Sequence, residues 1–187
     1  MNYSDYQERI KEFAVYPRIG NNLSYPVLGL ISEFGDELLI ALSNTESDSS
    51  NEAFDKARKE AGDCYWYLGT IYNEIEEDWE STLLDNQKFC VDSYADISAN
   101  DEVTILCILA TLFGMLSGYA AKADRDNNGK LLEKHRQKFI DVLLSLETIL
   151  EYLIEQHIGL FDVLEDNISK LQSRKERNVL HGDGDSR

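Results

Sequence analysis

Two acidic pairs in the 187-residue chain have spacing that could do chemistry: Glu33 with Asp36, and Glu60 with Asp63, with Glu37 adjoining the first. Residues three and four apart are neighbours on a helix surface, so each pair would hold its carboxylates side by side. Wound as a helix, residues 25–42 gather Val27, Leu30, Ile31, Phe34, Leu38 and Ala41 on one arc, with Glu33, Asp36 and Glu37 along its flank. Residues 53–76 place Glu60 and Asp63 on the same relative flank, with Tyr67 between them in angle. Antiparallel packing through the apolar arcs would bring four or five carboxylates to the mouth of a helix bundle. Such a cluster raises its own pKa values or demands a counter-ion. Mg²⁺, with Mn²⁺ as a substitute, fits: it takes one or two carboxylates, keeps several waters and leaves room for phosphate oxygens.

The chain offers no thiolate or imidazole set of the kind zinc prefers. His135, His157 and His181 lie far apart and read as surface or capping residues. Cys64, Cys90 and Cys107 are odd in number and form no CxxC, which predicts three reduced thiols in a cytoplasmic protein. Acid spacing alone is a weak signal. With 35 acidic residues, roughly six pairs at i, i+3 arise by chance, and most charged flanks are solvated surface.

Basic residues collect at 170–177 (KLQSRKER), where Lys170, Arg174, Lys175 and Arg177 reverse the local charge. The stretch reads either as a clamp on polyphosphate oxygens or as cations placed at a helix C-terminus. Lys56, Arg58 and Lys59 could act likewise, although solvent is the simpler place for them. No GxxxxGK[ST] and no GxGxxG occurs, so no glycine-rich loop cradles a phosphate.

Long helices must carry these residues. Only two prolines and eleven glycines punctuate the chain, too few for an all-β fold. An all-α chain is expected, as a single domain over 1–187. Its helices should fall at 3–15, 25–42, 53–76, 79–89, 102–123, 131–156 and 160–174. Ser24 reads as a cap, residues 43–51 and 92–100 as loops, 124–129 as a turn and 178–187 as an irregular tail. The net charge of −17 repels a phosphate backbone and argues against nucleic-acid binding. No apolar run reads as long enough to cross a bilayer, and no export signal is visible at the N-terminus.

An internal repeat is visible. The segment EFGD at 33–36 recurs as LFGM at 112–115, CYWYL at 64–68 as ILEYL at 149–153, and LDN at 84–86 as EDN at 165–167. The order predicts two helical units, about 20–90 and 101–173. In the second, Leu112, Met115, Ser145 and Thr148 stand where the first has acids, so one half would hold the site and the other would be scaffold. Leu112 and Met115 should then help to bury the second unit.

The run YPVLGLISEFGDE (25–37), followed by KEAGDCYWYL (59–68), resembles the MazG-like all-α nucleoside triphosphate pyrophosphohydrolases, whose pattern is ExxE on one helix and ExxD on the next. The stretch NISKLQSR (167–174) and the ending GDGDSR (182–187) are similar to that family as well. The resemblance implies a MazG-like helical bundle, Mg²⁺ dependence, and hydrolysis of an NTP to NMP and pyrophosphate in nucleotide-pool house-cleaning. It implies metal ligation by Glu33, Asp36, Glu60 and Asp63, and substrate contacts from Tyr67, Asn167, Lys170 and Arg174. Asp36 stands where the family has a second Glu, so Glu37 could share the metal role. Two fused units, one without acids, are similar to the all-α dUTPases and imply an intramolecular pseudo-dimer; a further homodimer stays open. The rival reading is a helical scaffold or pseudoenzyme that binds nucleotide, or a partner protein, without turnover.

Overall fold

The computed structural model describes residues 1–47, 50–157 and 163–180, and for 36, 37, 44–47, 102, 156 and 157 only the backbone. Among the described residues the fold is helical, without strands, as expected of an all-α chain. The elements are α1 (Tyr3–Ile10, extended by a 3₁₀ turn at Lys11–Phe13), α2 (Ser24–Ser32), a π-helical turn (Glu33–Leu38), α3 (Leu39–Ser47), α4 (Asn51–Glu74), α5 (Trp79–Asp85), α6 (Gln87–Ser98), α7 (Glu102–Asn127), a 3₁₀ turn (Glu133–His135), α8 (Arg136–His157) and α9 (Val163–Glu176).

Polar caps set four of the described helix starts. Asn2, Ser50, Asp78 and Asp101 each accept a hydrogen bond from the backbone N–H three residues on, which satisfies an end-of-helix donor. Ser24 does not cap: α2 starts at Ser24 itself, and its hydroxyl reaches across to the Asp124 carboxylate on α7. The expected turn at 124–129 begins later, because α7 continues to Asn127 and Asn128 ends it in the left-handed conformation. Gly129 follows with φ +87°. A Cβ there would lie 2.0 Å from the Asn21 carbonyl oxygen, and Gly129 accepts the Leu23 N–H at 3.0 Å, pinning this turn to the start of α2.

Helix α4 is the centre of the molecule. It packs along α2, the π turn and α3 on one side, and against α1 and α9 on others. Its residues Ala57, Ala61, Cys64, Leu68, Ile71 and Tyr72 are almost fully buried. The hairpin of α7 with α8 packs on the first through α2 and α7, while α9 lies on α4 and α6 lies on α8. Phe34 and Phe113, the matching phenylalanines of EFGD and LFGM, meet edge-to-face at 5.6 Å between ring centres.

Four expectations are corrected. The loop foreseen at 92–100 is mostly helix α6, and α3 runs to Ser47 where a loop was foreseen from residue 43. Leu112 is buried, but Met115 is 41% exposed and does not belong to the core. Val103–Asn127 is long and apolar enough to cross a bilayer, contrary to the sequence reading. Scattered Thr, Ser and Gly residues make the run look interrupted although none carries a charge before Lys122. One face of that helix, with Ile105, Leu109, Leu116, Ala120 and Ala123, belongs to the core. Residues 181–187 of the foreseen tail, His181 among them, lie outside the described residues.

Candidate metal and phosphate site

The π turn and α4 bring the sequence-separated acids together. Glu33, Glu60 and Asp63 each offer a carboxylate oxygen, and the three oxygens lie within 4.8 Å of one another. Glu33 opens the π turn, a helix irregularity often found at functional sites. Glu60 is 7% exposed, low for a carboxylate. The side chains of Asp36 and Glu37, also expected to ligate, lie outside the described residues.

Helix α9 supplies the counter-groups. Lys170 Nζ donates to Asp63 Oδ2 at 2.7 Å, and Asn167 Nδ2 donates to Asp63 Oδ1 at 3.2 Å. Asn167 Oδ1 in turn accepts the Tyr6 hydroxyl at 2.7 Å. Asn167, read in the sequence as a substrate contact, is buried, and both ends of its amide are engaged; it fixes the orientation of Asp63. Close approach makes this possible: a Cβ on Gly62 would lie 3.0 Å from Asn167 Cβ. Tyr67 lies across Gly29, where a Cβ would lie 2.1 Å from its ring. Burial pushes the Tyr67 phenol well above its ordinary range, with further contributions from Tyr25 and Glu33. Tyr25 stacks on Tyr16 with ring centres 4.4 Å apart.

Beside the acids, α4 and α9 enclose a cleft of about 340 Å³. It is lined by Arg58, Lys59, Lys170, Arg174 and Arg177, against only Asp55 and Asp166. In a chain of net charge −17, this is a localised cationic wall. The sequence reading placed Arg58 and Lys59 in solvent by preference. The signal that finds them is spacing: Asp55, Arg58, Lys59 and Gly62 fall on one face of α4, and Gly62 is where α9 docks.

The donor set fits a hard divalent cation. Three carboxylates converge, and a small closure of the 4.8 Å spread would bring them to the separation of ligands on one ion. Cys64 lies beneath them, but burial first, and then Glu33, Asp63 and Glu60, push its thiol up and disfavour a thiolate ligand. Among the described side chains no histidine joins the cluster: His135 lies 5.3 Å from the Tyr119 ring at the start of α8.

A second acidic locus escaped the sequence reading. Glu147 on α8 is 1% exposed; it accepts Trp79 Nε1 at 2.5 Å and the Tyr72 hydroxyl at 3.3 Å. Its neighbour Glu151 accepts the Tyr3 hydroxyl at 2.7 Å. Burial raises both carboxyls above their ordinary value. Glu74, also buried, accepts Tyr16 and the backbone of Gly20 and Asn22, and ties the loop before α2 to α4.

No family model matches the chain, and no curated protein or solved structure matches it.

Proposed function

We propose that the protein is a Mg²⁺-dependent nucleoside triphosphate pyrophosphohydrolase that cleaves a (d)NTP to (d)NMP and pyrophosphate. The observation that carries the reading is the juxtaposition of the Glu33–Glu60–Asp63 cluster with the cation-lined cleft between α4 and α9. Acids alone would bind a cation, and basic residues alone would bind an anion. Side by side they suit a metal-bound polyphosphate. The resemblance of residues 25–37 and 59–68 to the MazG-like pattern supports the same reading.

Glu33, Glu60 and Asp63 would hold the metal, with Asp36 and Glu37 assigned by the sequence alone. Bound there, Mg²⁺ supplies an activated water and charge neutralisation on the pyrophosphate leaving group. Glu33 orients the attacking water toward the α-phosphorus. Lys170 and Arg174 meet the non-bridging oxygens, with Arg58 facing them across the cleft. Tyr67 packs against the nucleotide, and Asn167 keeps Asp63 in place. The matching of Phe34 with Phe113, and the packing of α9 on α4 and of α6 on α8, support a duplicated unit of which only the first half carries the site. The reading also takes the protein to be cytoplasmic.

One observation favours a second reading. The Lys170 ammonium already neutralises Asp63, so the cluster could be a structural latch in a nucleotide-binding scaffold without turnover. Pyrophosphate release from a dNTP panel with Mg²⁺ separates the two: turnover with NMP as co-product supports the hydrolase, and binding without turnover supports the scaffold.

A further inference from the structure

Lys170 stands between the two parts of the site. Its Nζ donates to Asp63 Oδ2 at 2.7 Å, and the same residue lines the cationic cleft between α4 and α9. The first contact sets it against a carboxylate of the acidic cluster. The second sets it among Arg58, Lys59, Arg174 and Arg177, where a polyphosphate would lie. One ammonium cannot serve both places at once. An ammonium and a divalent cation drawn to the same carboxylate also repel each other strongly at so short a range. With Lys170 on Asp63, the folded chain opposes metal at its own cluster.

We propose that the Lys170–Asp63 pair is a gate: it opposes metal binding until an anion in the cleft draws Lys170 away, so that the protein takes up metal and polyphosphate together. Resting on the metal and polyphosphate reading above, the gate adds how that site is regulated. Three features favour an exchange of Lys170 over a fixed latch. Lysine carries a compact charge on a flexible four-carbon stem, so Nζ can move while its helix stays in place. Its destination suits anions: four further cations line a cleft of about 340 Å³, against only Asp55 and Asp166. The rest of the Asp63 anchorage stays behind. Asn167 is 3% exposed, donates to Asp63 Oδ1 at 3.2 Å, accepts the Tyr6 hydroxyl at 2.7 Å and packs closely on Gly62. It cannot follow Lys170, so Asp63 keeps its place beside Glu33 and Glu60 when the ammonium leaves.

Linkage fixes what the gate must do. An anion that withdraws Lys170 raises metal affinity by some factor, and metal must raise anion affinity by the same factor. A permanent latch gives no such coupling. Attraction between a metal and any nearby anion gives coupling that survives the loss of Lys170, whereas the gate does not survive it.

Mn²⁺ binding to the full chain, read from the electron paramagnetic resonance of the free ion at constant ionic strength, tests the gate. Sulfate is the anion probe, because it binds Mn²⁺ only weakly in solution. Loss in Glu60→Ala identifies the Mn²⁺ held at the cluster. In the parent chain, sulfate should tighten this Mn²⁺ about tenfold. Without sulfate, Lys170→Met should bind it about tenfold more tightly than the parent, and sulfate should then add no more than about twofold. Arg177→Met removes a cleft cation whose Nε donates to the Ser173 carbonyl instead, and should stay within about twofold of the parent without sulfate. Circular dichroism checks that the variants are helical. Should Lys170→Met not fold, Lys170→Gln carries the same expectations, and the parent's response to sulfate decides by itself. A parent unmoved by sulfate overturns the gate and leaves the metal reading standing. So does a Lys170→Met chain that binds Mn²⁺ no more tightly than the parent, or that still responds to sulfate as the parent does. If no chain holds Glu60-dependent Mn²⁺, the gate and the metal reading fall together.

Discussion

Lys170 Nζ lies 2.7 Å from Asp63 Oδ2, with the two side chains only 16% and 18% exposed. This pair ties α9 to α4 at the edge of the acidic cluster. It also makes the cluster tolerable, because Lys170 is a cation held beside three converging carboxylates. Removing one partner of a largely buried pair leaves the other uncompensated.

Lys170→Met is therefore expected to destabilise the protein by about 1–3 kcal/mol in the absence of divalent metal, after discounting for residual solvent screening. Mg²⁺ should restore part of the loss by taking over the charge role. Urea unfolding with and without Mg²⁺ measures both. An unchanged midpoint would mean that the pair contributes nothing to stability.

Glu147 gives a pH prediction. Its carboxyl is raised in the folded state by burial, and next by Glu151, although Trp79 and Tyr72 oppose the shift. The folded protein then holds this proton where the unfolded chain has lost it. Stability from Glu147 is thus fully present below the ordinary glutamate value of 4.5 and is lost as pH rises through the raised folded value. Glu147→Gln, which mimics the protonated form, should flatten the decline in urea midpoint with rising pH. Glu151, raised in the same direction, leaves a residual slope. A variant with the same slope as the parent would contradict this.

Gly29 and Tyr67 are coupled by contact. A Cβ on residue 29 would overlap the Tyr67 ring, so Gly29→Ala should cost about 1–3 kcal/mol and displace Tyr67. With Tyr67→Ala already in place, the same change should be neutral or stabilising by up to about 1 kcal/mol, from helix propensity. A double-mutant cycle in urea reads the difference, and strict additivity would rule out the contact.

Arg58 lines the cleft from the α4 side. Arg58→Ala should raise KM for a triphosphate about tenfold, the loss of one charge-assisted hydrogen bond, with kcat less affected. Lys56→Ala, on the exposed side of the same helix, should leave both unchanged. Equal effects of the two would mean that only overall charge matters.

The helices were legible because apolar residues recur at three- and four-residue steps, and because Pro and Gly are scarce. Helix α6 was not. Of its sequence, QKFCVDSYADIS, only Ile97 is buried, and it is held by α8, for example through Tyr94 packing edgewise on Tyr152. That is a tertiary effect invisible to local propensity. Glu33, Glu60 and Asp63 were legible from spacing and motif, but the π turn at Glu33 was not. The engagement of Asn167 with Asp63 and Tyr6 joins residues more than a hundred positions apart, beyond the reach of any local pattern. Glu147 reads in the sequence as one more acid on a helix. Only the packing of Trp79 and Tyr72 around it turns it into a buried titrating group.

The most direct test of the central claim is product analysis. The full chain is incubated with a dNTP panel and Mg²⁺, beside Glu60→Ala, with circular dichroism to confirm that the variant remains helical. The account predicts NMP and pyrophosphate in equal amounts from at least one triphosphate, no turnover in excess chelator, and a loss of about a thousandfold or more in Glu60→Ala. Release of inorganic phosphate and NDP, undiminished activity in chelator or in Glu60→Ala, or no turnover of any triphosphate would contradict it.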